Sequence, residues 1–353
     1  MKSYDEIFSE VGALSLPPEE GRLEVEWVVA AKIAVGRDSA GRFVVLLAGP
    51  PVTARSPAVA SVLSSGSWRD AGGDYVEGTL LQLPWGEPFH VATTTIAVEF
   101  LRRGVSERPV GDVFLEVESF IELVMRRVLL PPDSLLGLLG ELLVLDYLVE
   151  AATKLPKNRR PPLGSFWRGH ARESRDMVLN RLAIEVKTTG GPTSRHFIGS
   201  LDQIEPRMLD GGAHEVLRLA SIGLTPEPSG SSRFSIAQLA QRILDRLDEP
   251  TGEEFVEQLQ QYGPADCTGY HHQSMSDWEP YARRYRPTFV PRLYDTLDPG
   301  LLLIRRADLQ GTTVQPEGMS YQVVLPEVVP GSHGSNPRTD LPAALLDLVR
   351  EFA

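Results

Sequence analysis

RDMVLNRLAIEVKTT, residues 175–189, is the stretch on which the fold turns. Asp176 stands just ahead of a short apolar run, Asn180-Arg181 breaks that run, and the chain resumes as Leu-Ala-Ile-Glu-Val-Lys. Asn tolerates the backbone of a tight turn. The pattern therefore predicts two short strands folded together about 180–181. Alternation along the second strand puts Glu185 and Lys187 on one face and turns Val186 the other way, into the core. A strand this apolar needs a reason to carry both charges, and so does an acid at the head of its neighbour.

Magnesium offers one. It wants hard oxygen ligands and takes only one or two carboxylates from a protein, with water and substrate phosphate completing the shell. Asp176 and Glu185 can supply that pair. Lys187, beside such an ion, can orient or activate a water for attack on phosphorus and balance negative charge. A phosphodiester is anionic and resists nucleophiles, and a metal answers both problems. Upstream, LLGLLGELLVLDYLVEAA reads as a helix apolar on nearly every side, hence deeply buried. Glu141 lies in its middle, where an unpaired carboxylate is costly. A metal or its water would offset that cost, and so would a nearby Arg or a backbone group.

Charge is distributed unevenly around this stretch. Residues 151–200 hold ten Lys or Arg against three acids, a local charge of +7 in a chain whose net charge is −12. The basic segment favours a polyanion as partner, although the acidic remainder argues against a protein that coats DNA without selectivity. Three of only five lysines fall between 154 and 187, which makes Lys187 less incidental. One cysteine, Cys267, rules out an internal disulfide and a cysteine-rich zinc site. No run of eighteen apolar residues and no basic-flanked apolar leader is present, so a cytoplasmic protein with no membrane partner is expected.

Along the rest of the chain, LEVEWVVAAKIAV and RFVVLLAG read as strands around a Gly-rich turn. DYVEGTLLQLP and FHVATTTIAVEF extend the strand-rich region, the second with the option of running into a helix. Residues 111–129 have helical spacing and basic residues at the end, which suits the helix dipole. Pro131-Pro132 stops that helix, and Asp133 or Ser134 caps the next. RHFIGSLDQIEPRM reads as a strand entering a helix, with Ser200 and Gln203 as a capping box. EVLRLASIGLTPE is a buried strand and EPSGSSR a hinge. FSIAQLAQRILDRL and TGEEFVEQLQQYG are amphipathic helices, the second capped by a Thr251–Glu254 box. GLLLIRRADL and YQVVLPEVV are late strands, and LPAALLDLVREFA is a terminal helix. His271-His272 lacks partners at ligand spacing and reads as a surface loop. ARRYRPTFVPRLY, 282–294, packs its aromatics on the core, or stacks on bases. Trp167 reads as a core anchor. No phosphate-binding GxxxxGK[ST] and no G-x-S-x-G elbow occur.

The order Glu141, Asp176, Glu185-Val186-Lys187 resembles the PD-(D/E)XK nuclease superfamily. More narrowly, GLLGELLVLDYL, FWRG…RD, IEVKTT, H-F-I-x-S-L-x-Q-I-E-P and, more weakly, FVPRL resemble a bacterial family of that superfamily known mainly from phage-defence and restriction-modification gene neighbourhoods. Arg175 stands where the superfamily has its Pro. The resemblance implies Mg²⁺, with Mn²⁺ as substitute, held by Asp176, Glu185 and the Val186 carbonyl. It makes Glu141 an outer or second-metal ligand and assigns the water to Lys187. His196 and Gln203 fall beside the scissile phosphate, although a core histidine and a helix cap account for them as well. The expected architecture is α/β: a strand-rich N-terminal domain (1–109), a restriction-endonuclease-like core with a mixed central sheet flanked by helices (110–225), and a mostly helical C-terminal region (226–353). The expected function is metal-dependent DNA cleavage as the nuclease component of an anti-phage or restriction system, with protein partners and a possible homodimer. The alternatives are a non-catalytic DNA-binding or assembly subunit on the same fold, and an RNA nuclease.

Overall fold

The computed structural model describes residues 2–19, 22–69, 75–161, 166–169, 171, 175–227, 234–264, 267–332 and 336–353. Two compact units emerge. The first comprises 1–130 with 264–269 and 273–279, and the second 131–263 with 270–272 and 280–353.

In the first unit, α1 (Tyr4–Ala13) opens with a capping box between Ser3 and Glu6. Five strands follow: β1 (Leu23–Val29), β2 (Ile33–Asp38), β3 (Phe43–Ala48), β4 (Leu63–Arg69) and β5 (Tyr75–Leu83), with the four-residue α2 (Pro57–Ala60) before β4. They form one antiparallel sheet in the order β1-β2-β3-β5-β4. Leu23, Ala34, Val44, Leu46 and Leu80 make a buried cluster on it. Two helices complete the unit, α3 (Glu87–Arg102) and α4 (Val110–Val128), which pack together. FHVATTTIAVEF is thus wholly helical. Its threonines are tolerated because the Thr93 and Thr95 hydroxyls donate to the carbonyls four residues back.

The second unit starts with α5 (Pro132–Thr153). Pro131 occupies its N-cap and no side chain caps it, so neither Asp133 nor Ser134 has the expected role. A proline at the first helical position gives up a donor that has no helical acceptor anyway. Within Val110–Thr153 lies an 18-residue window whose length and composition would allow it to cross a bilayer, and 59% of that window is buried. Helix α5 packs on β7 (Leu182–Thr189), α6 (Ile236–Leu244) and α9 (Leu341–Phe352).

The central sheet is mixed. β6 (Met177–Leu179) pairs antiparallel with β7 through the turn at Asn180, whose φ is +51°. β7 runs parallel to β9 (Val216–Pro226), with Glu185 opposite Leu219 and Lys187 opposite Ser221. On its far side β9 takes β10 (Tyr285–Pro287) and β11 (Arg292–Asp295), both antiparallel. ARRYRPTFVPRLY therefore supplies two strands to the sheet. A separate two-stranded ribbon pairs β8 (Arg195–Ile198) with β12 (Tyr321–Val324). Ile198, Leu201, Leu219, Tyr294, Leu301, Leu303 and Leu325 contribute to a second core.

The compact units cut the chain at 130, not at 109 and 225. Helix α4 packs with α3, and the C-terminal region contributes β10 and β11 to the central sheet and β12 to the ribbon. GLLLIRRADL is not a strand. It forms two 3₁₀ turns, Pro299–Leu301 and Arg306–Leu309, while Leu301 and Leu303 fill the core. Helix α7 (Glu249–Gln261) is capped by Asp248, whose carboxylate accepts from Thr251 N, so the Thr251–Glu254 box is not used. The one-turn α8 (His272–Met275) follows. His272 is buried there, hydrogen-bonded to the Tyr270 hydroxyl and to Gln241, so it is a core histidine rather than part of a surface loop. Most of EPSGSSR lies outside the described residues.

Candidate active site

Asp176 sits at the entry to β6, and the backbone on both sides of it is pinned. Its carbonyl accepts from Arg168 N at 2.7 Å, and Val178 N donates to Phe166 O at 2.8 Å, which lays residues 166–168 along the strand. Arg175, just before it, is fully buried. Its guanidinium bonds both carboxylate oxygens of Glu215 and the carbonyls of Asp202 and Glu205. The departure from the superfamily's proline thus supplies a charged clamp. It ties Asp176 to the start of β9 and to the turn after β8.

The Asp176 carboxylate reaches the neighbouring strand, where its Oδ2 accepts from Val186 N at 2.6 Å. Next to Val186 on either side stand Glu185 and Lys187, whose Oε1 and Nζ are 2.9 Å apart. Glu185 is 3% exposed, and among the described residues its buried Oε2 has no hydrogen-bond partner. Burial pushes the Asp176 carboxyl up to about 6, against the pull of Val186 N and Lys187. Burial, then the charge of Asp176, pushes Glu185 up to about 8. Two carboxylates that oppose each other's ionisation, one with an orphaned oxygen, are a site that a cation would relieve.

Glu141 has partners that its sequence context does not betray. Its Oε2 accepts from Trp167 Nε1 at 2.8 Å and its Oε1 from the Tyr262 hydroxyl at 2.7 Å. Among the described residues, neither an Arg nor a backbone group pairs with it. Burial, then the Asp176 charge, drives its carboxyl well above the ordinary range. Gly169 makes room for this contact, since a Cβ there would lie 1.8 Å from Glu141 Oε2. Trp167 is therefore a core anchor, and one with a donor's task. Nothing local in the sequence pointed to Tyr262, 121 residues away.

His196 is buried beside β7. Its Nε2 lies 2.7 Å from Ser221 Oγ, which is 2.6 Å from Ser194 Oγ, while its buried Nδ1 has no partner among the described residues. Burial, reinforced by Lys187, pulls the imidazole down to about 4, so it is neutral near pH 7. Ser221 is the register partner of Lys187. The two serines escaped notice as single small polar residues in otherwise ordinary stretches. Gln203 lies in a one-turn 3₁₀ helix, Leu201–Gln203, and its Oε1 accepts from Gly199 N at 2.8 Å. It folds back on the turn rather than joining the carboxylates, and the Ser200 hydroxyl makes no cap.

Among the described residues, no group of three or more His, Cys, Asp or Glu is spaced to hold a metal. Asp176 and Glu185 still fit magnesium's usual share of one or two protein carboxylates, and the orphaned Glu185 Oε2 is the observation that speaks for it. Glu141 stands nearby with each of its oxygens accepting one hydrogen bond.

A protein-family model described as "Putative PD-(D/E)XK family member, (DUF4420)" matches residues 76–296. The chain belongs to this family. The matched span covers Glu141, Asp176 and Glu185-Val186-Lys187. It begins in β5 of the first unit and ends just past β11. No curated protein and no solved structure matches the chain.

Proposed function

We propose that the chain is a metal-dependent DNA endonuclease and serves as the nuclease component of a bacterial anti-phage or restriction system. One observation carries the reading: Asp176 is bonded to the strand that bears Glu185 and Lys187, and Glu185 keeps a buried oxygen without a partner. Membership of a family in a superfamily of nucleases supports it.

Asp176 and Glu185 would hold Mg²⁺ or Mn²⁺, with the Val186 carbonyl as a further oxygen. Such an ion supplies a hydroxide at neutral pH and charge stabilisation on phosphate. The chain's own residues do the rest. Asp176 is fixed by Val186 N and by the Arg175 clamp, so its free oxygen is presented in one direction. Lys187 Nζ is an ammonium, with donors and no acceptor. It orients the attacking water through the water's oxygen and offsets charge on the phosphate, and it does not take the proton while paired with Glu185. His196, neutral and buried, adds no charge next to Lys187. Attack by water on phosphorus in line with the leaving group would break the P–O3′ bond, with the water's proton passing to solvent and the leaving O3′ taking a proton from solvent, to leave a 5′-phosphate and a 3′-hydroxyl.

Cation-dependent thermal stability tests the site without relying on turnover. Millimolar Mg²⁺ or Mn²⁺ is expected to raise the melting temperature of the parent and leave Asp176→Ala unmoved. Equal shifts in the two proteins would remove Asp176 from the site.

A further inference from the structure

The β8–β12 ribbon has one face that is accounted for and one that is not. Inward, His196 bonds Ser221 beside the lysine strand, and Ile198, Tyr321 and Val323 belong to the core around Leu219. Outward stand Arg195 and Phe197 on β8, and Gln322 and Val324 on β12. All four are exposed, Phe197 at 60% and Val324 at 61%. The register sets Arg195 against Val324 and Phe197 against Gln322, so they form one compact patch. Among the described residues, the Arg195 guanidinium and the Gln322 amide have no ion-pair or hydrogen-bond partner.

We infer that this ribbon enters the major groove of duplex DNA and reads base edges there. The inference rests on the nuclease reading and names the part of the molecule that selects its substrate. A two-stranded ribbon fits the roughly 12 Å major groove. The four side chains carry the chemistry that discriminates bases: Arg forks to guanine O6 and N7, Gln pairs with adenine N6 and N7, and apolar groups such as Phe and Val meet the thymine methyl. Charge suits an anionic partner such as nucleic acid. No acid occurs in 188–201 or in 318–326, and the ribbon's first strand belongs to the +7 segment of a chain that is otherwise acidic. Position favours it as well, because β8 packs against β7, the strand of Glu185 and Lys187.

The test is selection of bound duplexes from a random-sequence DNA library by the full chain, with Ca²⁺ in place of Mg²⁺ to prevent cutting, followed by affinity measurement on the selected duplex. The parent should enrich a defined sequence. Arg195→Ala and Gln322→Ala should each lose preference at a base position and weaken binding to the selected duplex by roughly 5- to 150-fold, with little loss on unselected DNA. Both residues are solvent-facing, so their melting temperatures should match the parent's. The ribbon is overturned if the parent binds no DNA, or if the variants select and bind as the parent does. It is also overturned if Phe197→Ala or Val324→Ala changes the oligomeric state and leaves DNA binding intact, which would make the patch a protein interface. The nuclease reading fails separately: a parent that binds with Arg195-dependent preference yet cuts nothing under Mg²⁺ or Mn²⁺ keeps the ribbon and loses the enzyme.

Discussion

Glu185 is the residue on which most of the site's physics converges. Burial and Asp176 hold its proton to about 8, far above the ordinary carboxylate range near 4.5. A raised acid binds more protons folded than unfolded, so it costs stability as pH rises from about 4.5 to about 8. The metal-free parent should therefore lose stability across that window by more than Glu185→Gln does, as followed by melting temperature from pH 5 to 8. A parallel pH course for the two proteins would mean that Glu185 is not held protonated. Glu141 makes a different prediction. Trp167→Phe keeps the ring but deprives Glu141 Oε2 of its donor, and should cost about 1–3 kcal/mol in denaturant unfolding. An unchanged midpoint would show that water replaces the indole. Asp176, Glu185 and Lys187 were legible in the sequence because strand alternation fixes their faces. The donors to Glu141 were not, since Trp167 and Tyr262 reach it from 26 and 121 residues away.

At the scale of elements, the site depends on how closely α5 approaches β7. Gly140 permits that approach: a Cβ at this position would lie 1.9 Å from Thr188 Oγ1 and 3.1 Å from Thr188 Cβ. Gly140→Ala should push the helix off the strand at a cost of about 1–3 kcal/mol, and Thr188→Ala in the same chain should recover part of the loss. No loss in Gly140→Ala would mean that the helix has slack there. The buried helix and the paired strands around Asn180 were readable because their apolar patterns are strong and local. GLLLIRRADL was misread because Leu301 and Leu303 are needed in a core built from β8, β9, β11 and β12, and an apolar run alone does not distinguish a strand from turns that deliver the same side chains. Capping boxes were overread for a related reason. The Ser200 and Thr251 patterns are present, but the observed caps go to whichever donors and acceptors tertiary packing leaves open.

For the whole molecule, the sequence order of acid, acid, Glu-Val-Lys marked the family and the candidate site, while the units around it depend on long-range pairing that no local pattern reports. The C-terminal strands complete the sheet on which the candidate site stands, so the unit that holds it runs far beyond the basic segment that first drew notice. The central claim is that this unit hydrolyses DNA through Asp176, Glu185 and Lys187. Its most direct test is cleavage of supercoiled plasmid, linear duplex and single-stranded DNA by the full chain in Mg²⁺ or Mn²⁺, with Lys187→Ala beside it. The account predicts cutting by the parent and a loss of about 10²-fold or more in the variant. Equal cutting by both proteins, or none by the parent on any substrate with either metal, would contradict it.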